Sequence, residues 1–353
     1  MRYITLATLI AAQTLAGHAQ SAGTVEGTWT AELHSNRVYL QLRATPPDEM
    51  RNDRGDRAWD GWNMGQTMPV EEVGGLPAND EHFTVSSVKL ELRREAGTVA
   101  LDGAFRDGRG AGLFTFTPRA AFTGEMKALG FSDDLPLWRR FQLAVHDVGP
   151  KYVRALKSEG YDKLTLDQLQ RARTHGVTVE YIKAMKAEGY KVTEIEDIVR
   201  TRDHGVTAEY VRGMRAAGFK DATLPDLVRA KDHGVTPEFA KELRDQGINP
   251  ATLDGFVRMR DHGIRAPFVV ELKKAGFSSL DPEEIVRVKD HGVSADYIAD
   301  MKEIGLKNLT LADIVRLRDH GVTPGFVNHV RAQGYKEDTV DGLIHLKDRG
   351  LWR

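Results

Sequence analysis

Seven histidines recur at a fixed spacing of 29 residues, and histidine is a common metal ligand and proton carrier near neutral pH. They are His146, His175, His204, His233, His262, His291 and His320, and Arg349 stands where an eighth would fall. A metal site needs three or four ligands on one ion, at about 2.0–2.2 Å. Equivalent residues of stacked helices lie roughly 10 Å apart, because helix axes pack at about 8–10 Å. Neighbouring histidines of the row therefore cannot share an ion, and we expect no metal and no other cofactor.

We favour a structural role for these histidines. An imidazole at the C-terminus of a helix can bond to the last carbonyl groups and is favoured by the helix dipole. The alternative is a shared response to pH, because similarly placed histidines would change charge together near neutrality. The residues given this structural role are His175, His204, His233, His262, His291 and His320.

An aspartate stands directly before most of these histidines, in what would be the last turn of a helix. The helix dipole disfavours an anion there, so a positively charged neighbour should offset it. An arginine lies three residues earlier on the same helix. We therefore predict arginine–aspartate pairs that lock the repeats together, and the alternative is that the row contacts an external ligand. The aspartates are Asp203, Asp232, Asp261, Asp290 and Asp319, and the arginines are Arg200, Arg229, Arg258, Arg287 and Arg316.

Two tryptophans are the other candidates for binding. Residues 44–80 are rich in Gly, Pro, Asp and Arg and are predicted to be irregular, and long loops with large apolar residues sometimes bind ligands. Trp59 and Trp62 lie in this stretch. The alternative, which we favour, is that these side chains fold back over an open face of a sheet.

No pattern of catalytic residues is found in the sequence. It has no His-Glu-x-x-His, no Gly-x-Ser-x-Gly, no phosphate-binding loop, no dinucleotide-binding motif and no cysteine nucleophile. Acidic residues are spread along the repeats rather than gathered in a pair. The sequence thus predicts a protein that is not an enzyme.

The spacing of the histidines is the period of a repeated helical unit. A fixed period of this length predicts a stacked array of two-helix units. In one copy, helix A is predicted over about 207–217 and helix B over about 224–232. Helix A ends at Gly218, followed by an apolar residue, which is the Schellman arrangement found in every copy. Thr223 is placed to cap helix B, and His204-Gly-Val-Thr207 forms a tight corner between units.

The region before the repeats has the pattern of β-strands. Apolar and polar residues alternate over 88–93, 99–105 and 114–117, which indicates strands with one buried and one solvent-exposed face. We predict a small antiparallel β domain of five or six strands over residues 24–118. An α-solenoid of 29-residue helix-turn-helix repeats, with about eight A and eight B helices, follows over 119–353. The predicted fold class is therefore α+β.

Composition and the N-terminal sequence indicate the cellular location and exclude one class of partner. The 353 residues carry 49 basic and 51 acidic side chains, a net charge of −2, which predicts no nucleic-acid partner. Residues 1–19 have the pattern of a signal peptide, with Arg2, an apolar run and small residues at Gly17 and Ala19. We expect cleavage near Ala19 and no membrane span afterwards. The chain has no cysteine, so a disulfide framework is impossible. The signal-peptide pattern in a cysteine-free chain predicts a periplasmic or secreted protein.

Two segments carry a resemblance to a known family. They are the repeat phrase Asp232-His-Gly-Val-Thr-Pro-Glu-Phe239, and the junction Leu113-Phe-Thr-Phe-Thr-Pro118 that leads to Met126-Lys-Ala-Leu-Gly-Phe131. The chain resembles the extracytoplasmic regions of some bacterial BlaR-type sensor metallopeptidases and related exported proteins. The sequence lacks the zinc-peptidase motif, so no catalytic residue carries over. The resemblance implies a sensing or interaction module that faces the envelope.

Three functional hypotheses follow from these patterns. The first is a non-enzymatic, exported scaffold that presents its helical repeats to a protein or peptide partner. The second is a soluble sensor domain that binds a small envelope-derived ligand near Trp59 and Trp62. The third is a structural envelope protein that associates with itself.

Overall fold

The computed structural model describes residues 23–47, 61–306 and 308–351. The predicted signal peptide, residues 1–19, and Trp59 lie outside these residues. Within them, an antiparallel sheet is followed by helices in a repeated arrangement, which confirms the predicted α+β fold.

The sheet contains seven strands in the described part of the chain, one more than the highest predicted number. The strands are β1 (Val25–His34), β2 (Arg37–Ala44), β3 (Trp62–Pro69), β4 (Val73–Gly74), β5 (Val85–Arg94), β6 (Gly97–Arg106) and β7 (Arg109–Pro118). All neighbours are antiparallel, in the order β3-β2-β1-β7-β6-β5-β4. β3 and β4 lie at opposite edges but are joined by a short 3-10 turn, Val70–Glu72, so the sheet must curl.

The prediction of an irregular segment over residues 44–80 was wrong for β3 and β4. Along β3, Asn63, Gly65 and Thr67 are exposed while Met68 is buried, so the alternation expected of a strand is present. The polar and glycine content of this stretch hid that pattern in the sequence. Pairing of the strand with β2, from Trp62 opposite Ala44 to Pro69 opposite Arg37, overrides the weak local preference.

Aromatic rings on the inner face of the sheet lie over glycines. A Cβ added at Gly103 would come within 2.7 Å of the Trp29 ring, and one at Gly110 within 2.5 Å of the Phe105 ring. Trp29 is 1% exposed, and its Nε1 donates a hydrogen bond to the Asp102 carbonyl at 3.2 Å. The missing side chains therefore make room for the largest residues of this core.

Sixteen helices follow the sheet in the described residues, as the predicted eight A and eight B helices. The A helices are α1 (Phe122–Ala128), α3 (Pro150–Ser158), α5 (Val179–Ala187), α7 (Ala208–Ala216), α9 (Pro237–Asp245), α11 (Ala266–Lys274), α13 (Ala295–Glu303) and α15 (Pro324–Ala332). The B helices are α2 (Leu137–Val145), α4 (Leu166–Thr174), α6 (Ile195–Asp203), α8 (Leu224–Asp232), α10 (Leu253–Asp261), α12 (Pro282–Asp290), α14 (Leu311–Asp319) and α16 (Val340–Asp348). We number the repeats 1 to 8, each an A helix with the B helix after it.

The predicted helix ends are confirmed. Thr223 is the N-cap of α8, its hydroxyl accepts from the Asp226 N–H, and the reciprocal bond of a capping box is present. Gly205 has a φ of +68°, and the Val206 N–H donates to the Thr201 carbonyl, which completes the Schellman pattern. Because these short-range bonds recur in most repeats, local sequence largely defines where the helices begin and end.

By their contacts, the residues form two compact units. Unit 1 contains Met1–Val179 and Thr193–Glu196, and unit 2 contains Glu180–Val192 and Asp197–Arg353. Contacts therefore group the first two repeats with the sheet in unit 1. In unit 1, the Phe141 ring of α2 stacks on Phe114 of β7 at 5.5 Å.

In unit 2 the repeats stack in series. Each B helix from α8 to α16 contacts the next B helix, and the A helices α7, α9, α11 and α13 are linked in the same way. α12 buries Ile285, Val286 and Val288 to 2% exposure or less, and each such side chain contributes about 1.5–3 kcal/mol on burial. Stability in this unit comes from contacts between neighbouring repeats, as expected of a solenoid.

Candidate interaction surface

The histidines of unit 2 pair with aspartates of the following repeat. His233, His262, His291 and His320 are the C-caps of their B helices. Nδ1 of each histidine lies within hydrogen-bond distance of Oδ1 of the aspartate 28 residues later. The pairs are His204–Asp232 at 2.6 Å, His233–Asp261 at 2.8 Å, His262–Asp290 at 2.6 Å, His291–Asp319 at 2.7 Å and His320–Asp348 at 3.0 Å.

This pairing corrects the predicted partner of the aspartates. We expected Asp232, Asp261, Asp290 and Asp319 to pair with the arginine three residues earlier, but their carboxylates accept hydrogen bonds from histidine. The physical reason is that stacking places the C-terminal corner of one B helix beside the last turn of the next. An imidazole Nδ1–H that donates to a carboxylate fixes the tautomer and leaves Nε2 as the free ring nitrogen. The other two residues of these rows lie at matching places: His175 is the C-cap of α4, and Asp203 ends α6.

The arginines do link repeats, but through different acids. Arg229 Nε lies 3.3 Å from Asp254, Arg258 Nε lies 3.0 Å from Glu283, and Arg316 Nη2 lies 2.5 Å from Asp341. In each case the acid is 25 residues later, in the first turn of the next B helix. The equivalent positions for Arg200 and Arg287 are Pro225 and Ala312, so these two arginines have no acid to meet there.

These residues form one exposed surface. We define the polar ridge as the arginine, aspartate and histidine rows of α8 to α16, namely Arg229, Arg258, Arg287, Arg316, Asp232, Asp261, Asp290, Asp319, Asp348, His233, His262, His291 and His320. The paired histidine side chains are 32–43% exposed and the paired arginines 52–58%. The ridge is therefore ordered by its own pairing and is still open to solvent.

Two further rows of cations were missed in the sequence analysis. In the first, a lysine or arginine covers the aromatic ring of helix A in the same repeat, as Lys231 does over Tyr210 at 4.7 Å and Arg318 over Tyr297 at 5.3 Å. The Tyr297 hydroxyl donates to the Val322 carbonyl at 2.6 Å, and burial raises the pKa of Tyr297 to about 12. The 29-residue recurrence of these cations was a signal that could have revealed the row.

The second row of cations joins consecutive A helices. Lys273 Nζ donates to the Gln246 carbonyl at 2.6 Å, and Lys302 Nζ donates to the Ala275 carbonyl. Both carbonyls belong to the residue that ends the preceding A helix. A cation at this place offsets the negative end of the helix dipole and satisfies an otherwise free carbonyl.

The corner of the first repeat departs from the pattern. Asp147 stands where later repeats have glycine, and it adopts the left-handed conformation with φ +53°. Its carboxylate pairs with Arg173 and lies 3.6 Å from Arg94 Nε, whose side chain is 9% exposed. Next to it, His146 lies 3.1 Å from Thr174 Oγ1 rather than beside an aspartate. Burial of the imidazole, followed by the nearby Arg139 charge, lowers the pKa of His146 to about 4.

Trp62 has a packing role in this structure. Its ring meets Trp138 edge-on at 5.7 Å and Phe141 at 5.1 Å, both on α2. Trp62 is the first residue of β3, so it packs from within the sheet against α2 and does not fold back over the sheet from an irregular loop, as we favoured from the sequence. Ligand contact by Trp62 stays a prediction.

The described residues contain no group of three or more histidines and acids arranged to hold a metal ion. None of the helices among them has the length and apolar character needed to cross a membrane. Comparison with protein-family models, with curated proteins and with solved structures finds no match to this chain.

Proposed function

We propose that the chain is a non-enzymatic, exported scaffold of the bacterial envelope that binds a protein or peptide through the polar ridge. The observation that carries this proposal is the repetition of one set of exposed donors and acceptors in register across repeats 4 to 8. Neighbouring copies hold one another in place, as His262 and Asp290 do at 2.6 Å. A partner that meets an ordered surface loses less side-chain entropy on binding.

The charge pattern of the ridge supports a partner that brings carboxylates. Arg287 has Ala312 at the position 25 residues later where Arg258 has Glu283, so this position supplies no acid to the Arg287 guanidinium. Guanidinium groups bind carboxylates with two parallel hydrogen bonds, which gives both direction and affinity. The signal-peptide pattern predicted at residues 1–19 and the resemblance to envelope sensors support the proposed location.

The experiment is affinity capture from an envelope extract, followed by measurement of the dissociation constant for the captured protein. The ridge variant carries Arg258→Ala, Arg287→Ala and Arg316→Ala. The matched control carries Glu242→Ala, Lys274→Ala and Glu303→Ala, three exposed residues on A helices. We expect the ridge variant to bind at least tenfold more weakly, and the control to bind like the unmodified chain.

Equal loss in both triple variants would contradict a ridge-specific interaction. Circular dichroism at 222 nm checks that both variants retain the helices, so that a loss of binding is not a loss of fold. A partner that binds all three proteins equally would place the contact elsewhere on the chain.

A further inference from the structure

Every repeat interface from repeat 3 to repeat 8 uses a basic side chain at one position of helix A. The residues are Arg215, Arg244, Lys273, Lys302 and Arg331, spaced 29 residues apart. Each lies beside the end of the preceding A helix, where it contacts an aromatic ring, a terminal carbonyl or both. At five interfaces, therefore, the C-terminal end of an A helix accepts a basic side chain from the next repeat.

The ring contacts are cation–π interactions. Arg215 lies 5.3 Å from the ring centroid of Tyr190, Arg244 lies 4.4 Å from that of Phe219, and Lys302 lies 4.8 Å from that of Phe277. Each ring directly follows the glycine that ends its A helix. A cation within about 6 Å of a ring centroid is attracted by the π face.

The carbonyl contacts complete the same site. Lys302 donates to the Ala275 carbonyl while it covers Phe277, and Arg331 donates to the Ile304 carbonyl. One cation therefore satisfies the last residue of the helix and covers the side chain two residues later. The negative end of the helix dipole selects a positive group at this place.

Repeat 8 has the acceptor half of this site without the cation. Tyr335 follows Gly334 at the end of α15, in the position of Tyr190, Phe219 and Phe277. Tyr335 is 40% exposed, whereas the residues at this position in repeats 3 to 7 are buried or half-buried. In the described part of the chain, no lysine or arginine donates to the Gln333 carbonyl, which corresponds to Ala275 and Ile304. Leu351, 37% exposed, adds apolar surface to the same repeat.

We propose that the outer end of repeat 8, formed by Tyr335, the Gln333 carbonyl and Leu351, is a docking site for a helix of a partner protein that presents a lysine or arginine. The basic side chain lies over the Tyr335 ring and donates to the Gln333 carbonyl, as Lys302 lies over the Phe277 ring and donates to the Ala275 carbonyl. The apolar part of the partner helix covers Leu351. This inference does not depend on the polar ridge, since it involves none of the ridge residues.

The probe for this site is a synthetic peptide with the sequence of residues 294–322, which is repeat 7 and carries the basic residue Lys302. The control peptide has Lys302→Gln. Isothermal titration of the full chain should give a dissociation constant about three- to tenfold lower for the lysine peptide than for the glutamine peptide. Peptides with Lys302→Arg should bind like the lysine peptide.

The matched variant of the chain is Tyr335→Leu. Leucine occupies this position in repeat 7 as Leu306, 2% exposed, so the substitution is compatible with the repeat fold. In this variant the advantage of the lysine peptide should fall by about two- to fivefold, because the ring is lost and the carbonyl remains.

Three results of the peptide titrations would overturn the proposal. They are no binding of either peptide, equal binding of both peptides, and an advantage of the lysine peptide that Tyr335→Leu leaves unchanged. Association of the chain with itself that is abolished by Lys127→Gln would also overturn it, because the occupant would then be the first repeat of a second copy. Loss of ridge binding alone leaves this site unaffected, so the two proposals fail separately.

Discussion

Nδ1 of His262 and Oδ1 of Asp290 lie 2.6 Å apart, although the two residues belong to consecutive repeats. Asp290 therefore interacts with His262 of the previous repeat. The residue after it, His291, interacts with Asp319 of the next repeat. This alternation runs from His204, which precedes the polar ridge, to Asp348, so the ridge is a continuous set of linked pairs.

Removing one of these links should weaken unit 2 modestly. His262→Ala and Asp290→Ala should each lower the free energy of unfolding by about 0.5–1 kcal/mol, since both side chains are partly exposed and the solvent screens their charges. The double variant should lose less than the sum of the single losses. Urea unfolding followed by circular dichroism measures all four proteins, and strictly additive losses would show that the pair contributes no coupling.

The arginine row offers a comparison between a paired and an unpaired residue. Arg258→Ala removes the ion pair with Glu283 and should cost about 0.2–1 kcal/mol, because both partners are more than half exposed. Arg287→Ala removes a side chain that has Ala312, not an acid, at the position 25 residues later, and should leave the melting temperature within about 1 °C. Differential scanning calorimetry distinguishes them. A larger loss for Arg287→Ala would mean that the 25-residue pairing is not what stabilises this row.

Asp147 should contribute to unit 1 through its charge. Asp147→Asn keeps a residue that tolerates the left-handed conformation but removes the carboxylate that pairs with Arg173. Arg94 retains its ion pair with Glu72 at 2.6 Å, so we expect a loss of about 1–2 kcal/mol mainly because the Arg173 side chain, 24% exposed, loses its charged partner. Tryptophan fluorescence during urea unfolding follows this unit through Trp29, Trp62 and Trp138. Unchanged stability at low ionic strength would show that the carboxylate is dispensable.

His146 should make unit 1 less stable as the medium becomes acidic. Its folded-state pKa of about 4 lies below the ordinary value of 6.5, so between these pH values the unfolded chain binds a proton that the folded chain does not. Stability is therefore fully retained above about pH 6.5 and falls as the pH decreases towards 4, by about 1–2 kcal/mol at pH 5. His146→Gln should remove this part of the decrease. Parallel stability curves for the two proteins between pH 7 and pH 5 would contradict the assignment.

The sequence by itself determined the helical repeats almost completely. Threonine N-caps in most repeats, glycine at the end of each A helix and the His-Gly-Val corner act within a few residues, so most repeats define their own helix ends. The 29-residue period then predicted the count of helices and the serial stacking. The same local reasoning failed for β3, whose identity depends on pairing with β2 rather than on its own composition.

Only the tertiary structure decided which charged residues meet. Arg258 and Asp261 lie three residues apart on one helix, so the sequence suggested that they pair with each other. Stacking selected His233 for Asp261 and Glu283 for Arg258, because the offset between neighbouring helices fixes which side chains face each other. A period gives the identity of equivalent residues, whereas the rotation and rise between repeats, set by the packing of side chains such as Ile285 and Val286, decide the partners.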